Sequence, residues 1–351
     1  EVLSDNIETF GFTQNNDLTE FIWDSIKSEN IAKEKVTILN TDHAINIELL
    51  FDQSKQLLIN IHKLNDCRRI NEYLLSAYSK LESGGLLVGN FVPLERFALN
   101  LRAKMPHFLY LIILPFYFLL HRVFPKITIA KQIYFIITKG KNRVLSKSEL
   151  LGRLAFCGYE IINETTIEDQ FYFVCKKKKT VSEEKSPSYG PIVKLKRIGY
   201  NGEPLYIYKL RTMYPYSEFI QGDIYEKYHL DKSGKMKGDY RITSWGKIFR
   251  KYFLDEIPQI YNWLKGDLNL VGIRALSEHY FSLYPDDLKQ KRINFKPGLI
   301  PPYYADLPES FDEIINSERE YLIQKERSPI LTDIKYFFKA SSNILLGARS
   351  K

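Results

Sequence analysis

The chain has 351 residues, a formal net charge of +8, and hydrophobic and aromatic shares of 44% and 14%. That length admits two domains with sizeable cores, and the basic balance asks for an anionic partner: nucleic acid, a lipid surface or a phosphorylated substrate. Cys67, Cys157 and Cys175 form no CxxC and no metal-ligand spacing, which argues against a cysteine metal site and for reduced, cytosolic packing residues. The first residues show no signal-peptide pattern, but the sequence opens on Glu1, so a leader stays open.

Residues 1–180 alternate apolar runs with helical stretches. Residues 56–61 and 85–89 read as buried strands. Between them 69–81 has helical spacing through Ile70, Tyr73, Leu74, Ala77, Tyr78 and Leu81, and is expected to stop at Ser83-Gly84-Gly85. Ser146 and Glu149 predict a capping box, with the helix ending at Cys157-Gly158. Strand-like segments follow at 159–162 and 171–175. Strand–helix–strand order predicts a doubly wound α/β domain.

An insertion at about 96–127 interrupts this pattern. The run 108–120 is apolar, with Phe108 and Leu120 at its ends and Pro115 inside. It is shorter than the roughly twenty residues a spanning helix needs. Arg96, Arg102 and Lys104 precede it, and Arg122 and Lys126 follow it. A proline-broken apolar helix with cations at both ends suits a re-entrant or interfacial membrane element; a buried core helix is the alternative. The charged stretch 176–187 reads as a domain boundary. Its run Lys176–Lys179 suits either a solvated linker or contact with anionic lipid.

After residue 188 the pattern changes. Asn201-Gly202 between β-prone runs predicts a hairpin whose second strand carries Lys209 and Arg211 to one face, a grip for phosphate. Asp239, Arg241 and Gly246 lead into a helix holding Arg250. Asp255 and Glu256 then sit as adjacent acids among cations, with Arg274 downstream. The acids read either as a solvated helix start or as a phosphoryl-transfer centre using a divalent metal. The tail 334–346 holds Tyr336, Phe337, Phe338, Ile344, Leu345 and Leu346 among Lys335, Lys339, Arg349 and Lys351. It predicts an interfacial amphipathic helix, with a packed terminal helix as the alternative.

Residues 81–88 and 148–176 resemble the second half of a class I methyltransferase-like, Rossmann-type fold. The only glycine before Gly84 is Gly11, so no glycine-rich loop exists to approach S-adenosylmethionine, and the scaffold reads as degenerate. An active S-adenosylmethionine methyltransferase, or a docking module for glycan-assembly partners, is the alternative for residues 1–180.

Residues 188–351 resemble the bacterial sugar transferase family, the monotopic polyprenyl-phosphate phosphoglycosyl transferases. Six motifs carry the likeness: Gly190-Pro191, the hairpin Arg197-Ile198-Gly199-Tyr200-Asn201-Gly202, the strand Tyr208-Lys209-Leu210-Arg211-Thr212-Met213, Asp239-Tyr240-Arg241-Ile242-Thr243, Leu254-Asp255-Glu256-Ile257-Pro258-Gln259, and the run from Lys265-Gly266-Asp267 to Val271-Gly272-Ile273-Arg274. The resemblance implies an α+β catalytic domain with interfacial helices. It would transfer a sugar 1-phosphate from a UDP-sugar to polyprenyl phosphate, initiating a surface glycan such as exopolysaccharide or capsule. Its place would be the cytoplasmic face of the bacterial inner membrane, with Mg²⁺, with no nucleic acid partner, and with a homodimer allowed. Carried over residue by residue, Asp255 would be the nucleophile, Glu256 with Asp255 would hold the metal, and Lys209, Arg211, Arg241, Arg250 and Arg274 would contact phosphates or brace the carboxylates. The chain departs from the family pattern at Ile273 and Ala275, where prolines are usual, and at Leu299-Ile300-Pro301-Pro302-Tyr303-Tyr304 after Lys296-Pro297-Gly298.

Overall fold

The computed structural model describes residues 16–124, 128–178, 180–181, 190–220 and 239–345. Lys126, Lys179, Leu346, Arg349, Lys351, Gly11 and the segment 182–189 lie outside the described residues. The chain divides into two units. One is Glu1–Pro187 with Pro215–Gln221; the other is Ser188–Tyr214 with Gly222–Lys351.

The first unit is mixed α/β. Its strands β1 (Val36–Leu39), β2 (Lys55–Lys63), β3 (Leu81–Phe91), β4 (Tyr159–Ile167) and β5 (Gln170–Lys177) form one sheet in the order β1-β2-β3-β5-β4. The first three are parallel, and β5 runs antiparallel between β3 and β4. Leu57, Leu58 and Ile59 pair with Leu86, Leu87 and Val88, all buried, as expected of parallel strands covered on both faces. Helix α1 (Asn16–Ile26) lays Leu18, Ile22 and Ile26 on one cluster of that core. After α2 (Ile45–Glu48), helix α3 (Ile70–Lys80) crosses from β2 to β3 and buries Ile70, Tyr73, Leu74 and Ala77, the spacing read from sequence.

Two local expectations change. Helix α3 ends at Lys80, and Ser83-Gly84-Gly85 lies inside β3. Gly84 takes φ +79 there, and the register slips from Lys55↔Leu81 to Leu57↔Leu86. Glycine accommodates a bulge here and does not stop a helix. The capping box at α7 (Lys147–Phe156) is half made. Ser146 Oγ accepts from the Glu149 N–H, but the Glu149 carboxylate is taken by Arg122 and Arg153. Residues 215–221 also belong to this unit. Tyr216 is buried, its hydroxyl accepts from Asn71 Nδ2 at 2.6 Å, and Arg153 stands over its ring.

The insertion contains α4 (Leu94–Lys104), α5 (His107–Phe118) and α6 (Thr128–Thr138). Pro115 does not break α5. The helix runs through it and widens into a π-helical turn at Leu119–Val123, which holds Leu120. No side chain of α5 is buried; Phe108, Ile112 and Phe116 are about two-thirds exposed. This excludes the core-helix alternative. No helix of the described residues is long and apolar enough to cross a membrane.

The second unit starts with the predicted hairpin, β6 (Ile192–Ile198) and β7 (Pro204–Leu210), turned at Asn201 and Gly202 with φ 55 and 77. Helix α8 (Ser244–Lys251) is capped by Thr243, whose Oγ1 accepts from the Gly246 N–H. A Cβ at Gly246 would strike the Thr212 carbonyl, so glycine lets α8 start against the end of β7. A 3₁₀ turn at Leu254–Glu256 and α9 (Gln259–Leu264) follow. Strands β8 (Asn269–Val271) and β9 (Gly298–Ile300) pair in parallel, so closely that a Cβ on Gly298 would overlap the Gly272 backbone. Helices α10 (Glu278–Ser282), α11 (Asp286–Ile293), α12 (Tyr303–Asp306), α13 (Phe311–Arg327) and α14 (Pro329–Leu345) complete the unit. Their core gathers Val271, Ile273, Leu276, Leu288, Tyr321, Leu322, Tyr336 and Ala340. The tail helix α14 is therefore packed through Tyr336 and Ala340, with Phe337 and Ile344 partly buried. Ile330, Leu331, Ile334 and Phe338 stay exposed.

Candidate active site

The acid pair is built by an unusual turn. Phe253 adopts a left-handed backbone, φ 56, immediately before Leu254–Glu256. A bulky residue there costs on the order of 1–3 kcal/mol and persists only where its surroundings enforce it. The Phe253 ring is held edge-on to Tyr304, with centroids 4.6 Å apart. The turn separates the two acids. Asp255 goes inward, 8% exposed. Glu256 lines a cleft of about 150 Å³ together with Arg197, Lys209, Gln259, Arg274, Tyr280 and Tyr303.

Lys209 Nζ donates to Glu256 Oε1 at 2.6 Å, and the Tyr304 hydroxyl donates to Oε2 at 3.1 Å. Burial pushes the Asp255 carboxyl above the ordinary range; Glu256 adds to that, while Lys209 and Arg250 oppose it. Burial, then Arg274, pulls the Arg197 guanidinium down. Two like charges beside one cleft form a place where an anion is favoured. Arg274 also stands over the Tyr303 ring at 5.6 Å. Its carbonyl accepts from Arg292 Nη2 at 2.6 Å, and Arg292 is buried against Glu318.

The other expected cations do different work. Arg211 lies just past the end of β7, and its Nε donates to the Gly190 carbonyl, whereas Lys209 turns to Glu256. Arg241 is buried and clasps Asp239 through Nε and Nη2, each at 2.8 Å. Arg250 donates through Nε to Thr212 Oγ1 at 2.9 Å and acts on Asp255 by charge. None of the three is among the residues that line the cleft, and each bonds a backbone or side-chain oxygen outside it.

Residues that sequence reasoning gave no role complete the site. Asn262, fully buried, joins α9 to the hairpin: its Oδ1 accepts from the Tyr208 N–H at 3.0 Å and its Nδ2 donates to the Tyr206 carbonyl at 2.8 Å. Arg197, Gln259, Tyr303 and Tyr304 border or support the cleft. Arg197 and Gln259 stood inside the sequence motifs without a role, and the Tyr303-Tyr304 doublet stood out as a departure from the expected pattern. Among the described residues no three His, Cys, Asp or Glu side chains converge. Two adjacent carboxylates beside a cationic cleft suit Mg²⁺, which commonly takes one or two carboxylates and completes its shell with water and substrate phosphates. In the first unit, a second and larger cavity of about 730 Å³ lies near the carboxyl ends of β1 and β2, lined by Asp42, Asp66, Arg68, Arg69, Tyr73 and Lys141 among others.

The second unit thus sets a carboxylate pair near clustered cations. Residues 181–347 match the model of the bacterial sugar transferase family. The galactosyl transferase CpsE of Streptococcus agalactiae is 34% identical over 161 residues, 44% of this chain and 34% of that protein. The undecaprenyl-phosphate galactose phosphotransferase of Salmonella typhimurium is 37% identical over 108 residues, 29% of this chain and 22% of that one. The chain thus covers well under half the length of both relatives. Among solved structures, a SAM dependent methyltransferase from Archaeoglobus fulgidus is 12% identical and covers 46% of this chain and 73% of that chain, with a TM-score of 0.23. That overlap is too small to carry an argument, and the α/β reading of the first unit rests on its own strand order.

Proposed function

We propose that the second unit transfers a sugar 1-phosphate from a UDP-sugar to polyprenyl phosphate and so initiates a bacterial surface glycan. The observation that carries this reading is the cleft where Lys209, Arg197 and Arg274 meet Glu256 beside a buried Asp255. Cations suit the diphosphate of the donor, and the flanking tyrosines suit its ring groups. The names of the Streptococcus and Salmonella relatives, which pair galactose with transfer and undecaprenyl phosphate with phosphotransfer, support the same substrate classes.

In this reading a carboxylate oxygen of Asp255 attacks the sugar-linked phosphorus. The bond from that phosphorus to the bridging oxygen breaks, and UMP leaves with the electron pair. The acyl phosphate on Asp255 is then attacked by a phosphate oxygen of the polyprenyl phosphate, which frees the carboxylate and yields the polyprenyl diphosphosugar. Asp255 and Glu256 would hold Mg²⁺, which neutralises charge growing on the phosphate oxygens. Lys209 orients Glu256, and Arg250 favours the ionised Asp255 against its burial.

Exposed apolar surface supports a membrane-face location. It covers α5 and α6 through Phe108, Ile112, Ile136 and Ile137. It recurs beside the acid turn at Ile248, Tyr252, Ile257 and Leu264, among Lys247, Lys251 and Lys265. The protein is then monotopic on the cytoplasmic face of the inner membrane, with 108–120 dipping into the lipid. Release by carbonate washing would remove this part of the reading.

The test is UMP release from a panel of UDP-sugars, with polyprenyl phosphate and Mg²⁺. Release that needs all three supports the assignment, and no release with any donor overturns it. The cavity of the first unit favours one second reading, a small-ligand site there such as one for S-adenosylmethionine. Titration calorimetry with that compound decides it, since absence of heat leaves the unit a scaffold.

A further inference from the structure

We propose that Tyr304 is a positioning residue that fixes Glu256 for metal and phosphate chemistry, and that the terminal helix α14 in turn fixes Tyr304. The inference deepens the function proposed above and rests on it. Glu256 has its two oxygens taken by different elements: Lys209 from β7 holds Oε1 and Tyr304 from α12 holds Oε2. A carboxylate bonded through both oxygens is held in one orientation, and each oxygen keeps a second lone pair for a cation.

The tyrosine is itself held on three sides. Its ring meets Phe253 edge-on at 4.6 Å and Tyr303 at 4.6 Å. Phe253 is the left-handed residue that turns the acid pair, so one ring both braces that turn and bonds the acid it delivers. Behind the ring, Asn343 Nδ2 on α14 donates to the carbonyls of Tyr304 at 3.0 Å and Ala305 at 2.8 Å. The chain from Asn343 through Tyr304 to Glu256 therefore links the packed tail helix to the cleft.

Tyr304→Phe removes one oxygen and keeps both ring contacts. The first measurement is Mn²⁺ binding to the nucleotide-free full-length protein, followed by electron paramagnetic resonance. The apparent dissociation constant should rise roughly tenfold, the usual consequence of losing a partner that orients a metal ligand. The Mg²⁺ concentration for half-maximal UMP release should rise in parallel, by more than the maximal rate falls. A folded variant with an unchanged Mn²⁺ titration overturns the proposal, and so does a wild type that binds no Mn²⁺. Should Tyr304→Phe fail to fold, Asn343→Ala serves. It should weaken Mn²⁺ roughly twofold to fivefold, in keeping with the modest net worth of a hydrogen bond, and no change there is equally fatal. Absence of UMP release by wild type counts against the function alone, because the Mn²⁺ comparison is read without substrate.

Discussion

Glu149 in the first unit and Glu256 in the second are both glutamates tied to cations, yet they serve opposite ends. The Glu149 side chain is 1% exposed and is closed by two guanidiniums: Arg153 donates to Oε1 through Nε at 3.2 Å and Nη2 at 2.7 Å, and Arg122 pairs with Oε2. Glu256 has one ammonium and one phenol, and its side chain is 17% exposed, on a cleft wall. The difference teaches that access separates a structural carboxylate from a chemical one. Two arginines use up the first, while the second keeps acceptor capacity toward open space. Asp255 is a third condition: it is buried, and the charges of Lys209 and Arg250 act on it.

The largest effect should come at that third condition. Asp255→Asn should lower UMP release by about a thousandfold or more, since an amide is a far weaker nucleophile than a carboxylate. The variant should not melt below wild type. In the folded protein the Asp255 pKa is raised, so its contribution to stability is present at low pH and lost as pH rises through the folded value. A neutral amide escapes that loss. For the same reason, the Asp255 carboxyl titrated in the metal-free protein should have its midpoint above the range of an ordinary carboxylate. A normal rate for Asp255→Asn, or a metal-free Asp255 midpoint at an unshifted aspartate value, would break the comparison.

Glu149→Gln should come next. It leaves Arg122 and Arg153 buried without their anion, which costs on the order of 3–5 kcal/mol. Denaturant unfolding of the first unit is the measurement, and a loss of under about 1 kcal/mol would mean that water reaches the site. The smallest effect should follow Glu256→Gln. Stability should change by less than about 1 kcal/mol, because the pair with Lys209 faces the cleft. The Mg²⁺ requirement for UMP release should rise roughly tenfold, an amide being the poorer hard-cation ligand. An unchanged Mg²⁺ curve would place Glu256 with Glu149 as a structural acid.

Local periodicity and turn chemistry were legible from sequence: the α3 face through Tyr73 and Ala77, the Asn201-Gly202 hairpin, and the acids at 255 and 256. What one residue does to its own backbone was harder to read. Gly84 looked like a helix stop and serves as a bulge; Pro115 looked like a break and is carried through. The partner of each cation was not readable, because the choice is made in three dimensions. Arg241 closes on Asp239, two residues away, while Lys209 reaches Glu256 across 47 positions. Tyr304 gave no spacing signal, since its hydroxyl is aimed by packing against Phe253. The tail packs through Tyr336 and Ala340, as its packed-helix alternative expects, and leaves Ile334 and Phe338 exposed.

The contact between Gly272 and Gly298 has a consequence for diversification. The two stretches that depart from the usual pattern, 273–275 and 299–304, leave from that one backbone crossing, where Gly298 N–H meets the Ile273 carbonyl at 2.9 Å and no side chain can intervene. A junction with no Cβ has no volume to trade, so substitutions downstream cannot push it aside, and their effects are passed outward. Arg274 and Tyr303 thus grow from a common fixed origin. Residues 299–303 can therefore vary from that origin and recut the cleft wall, provided Tyr304 stays to hold Glu256 and the Phe253 turn.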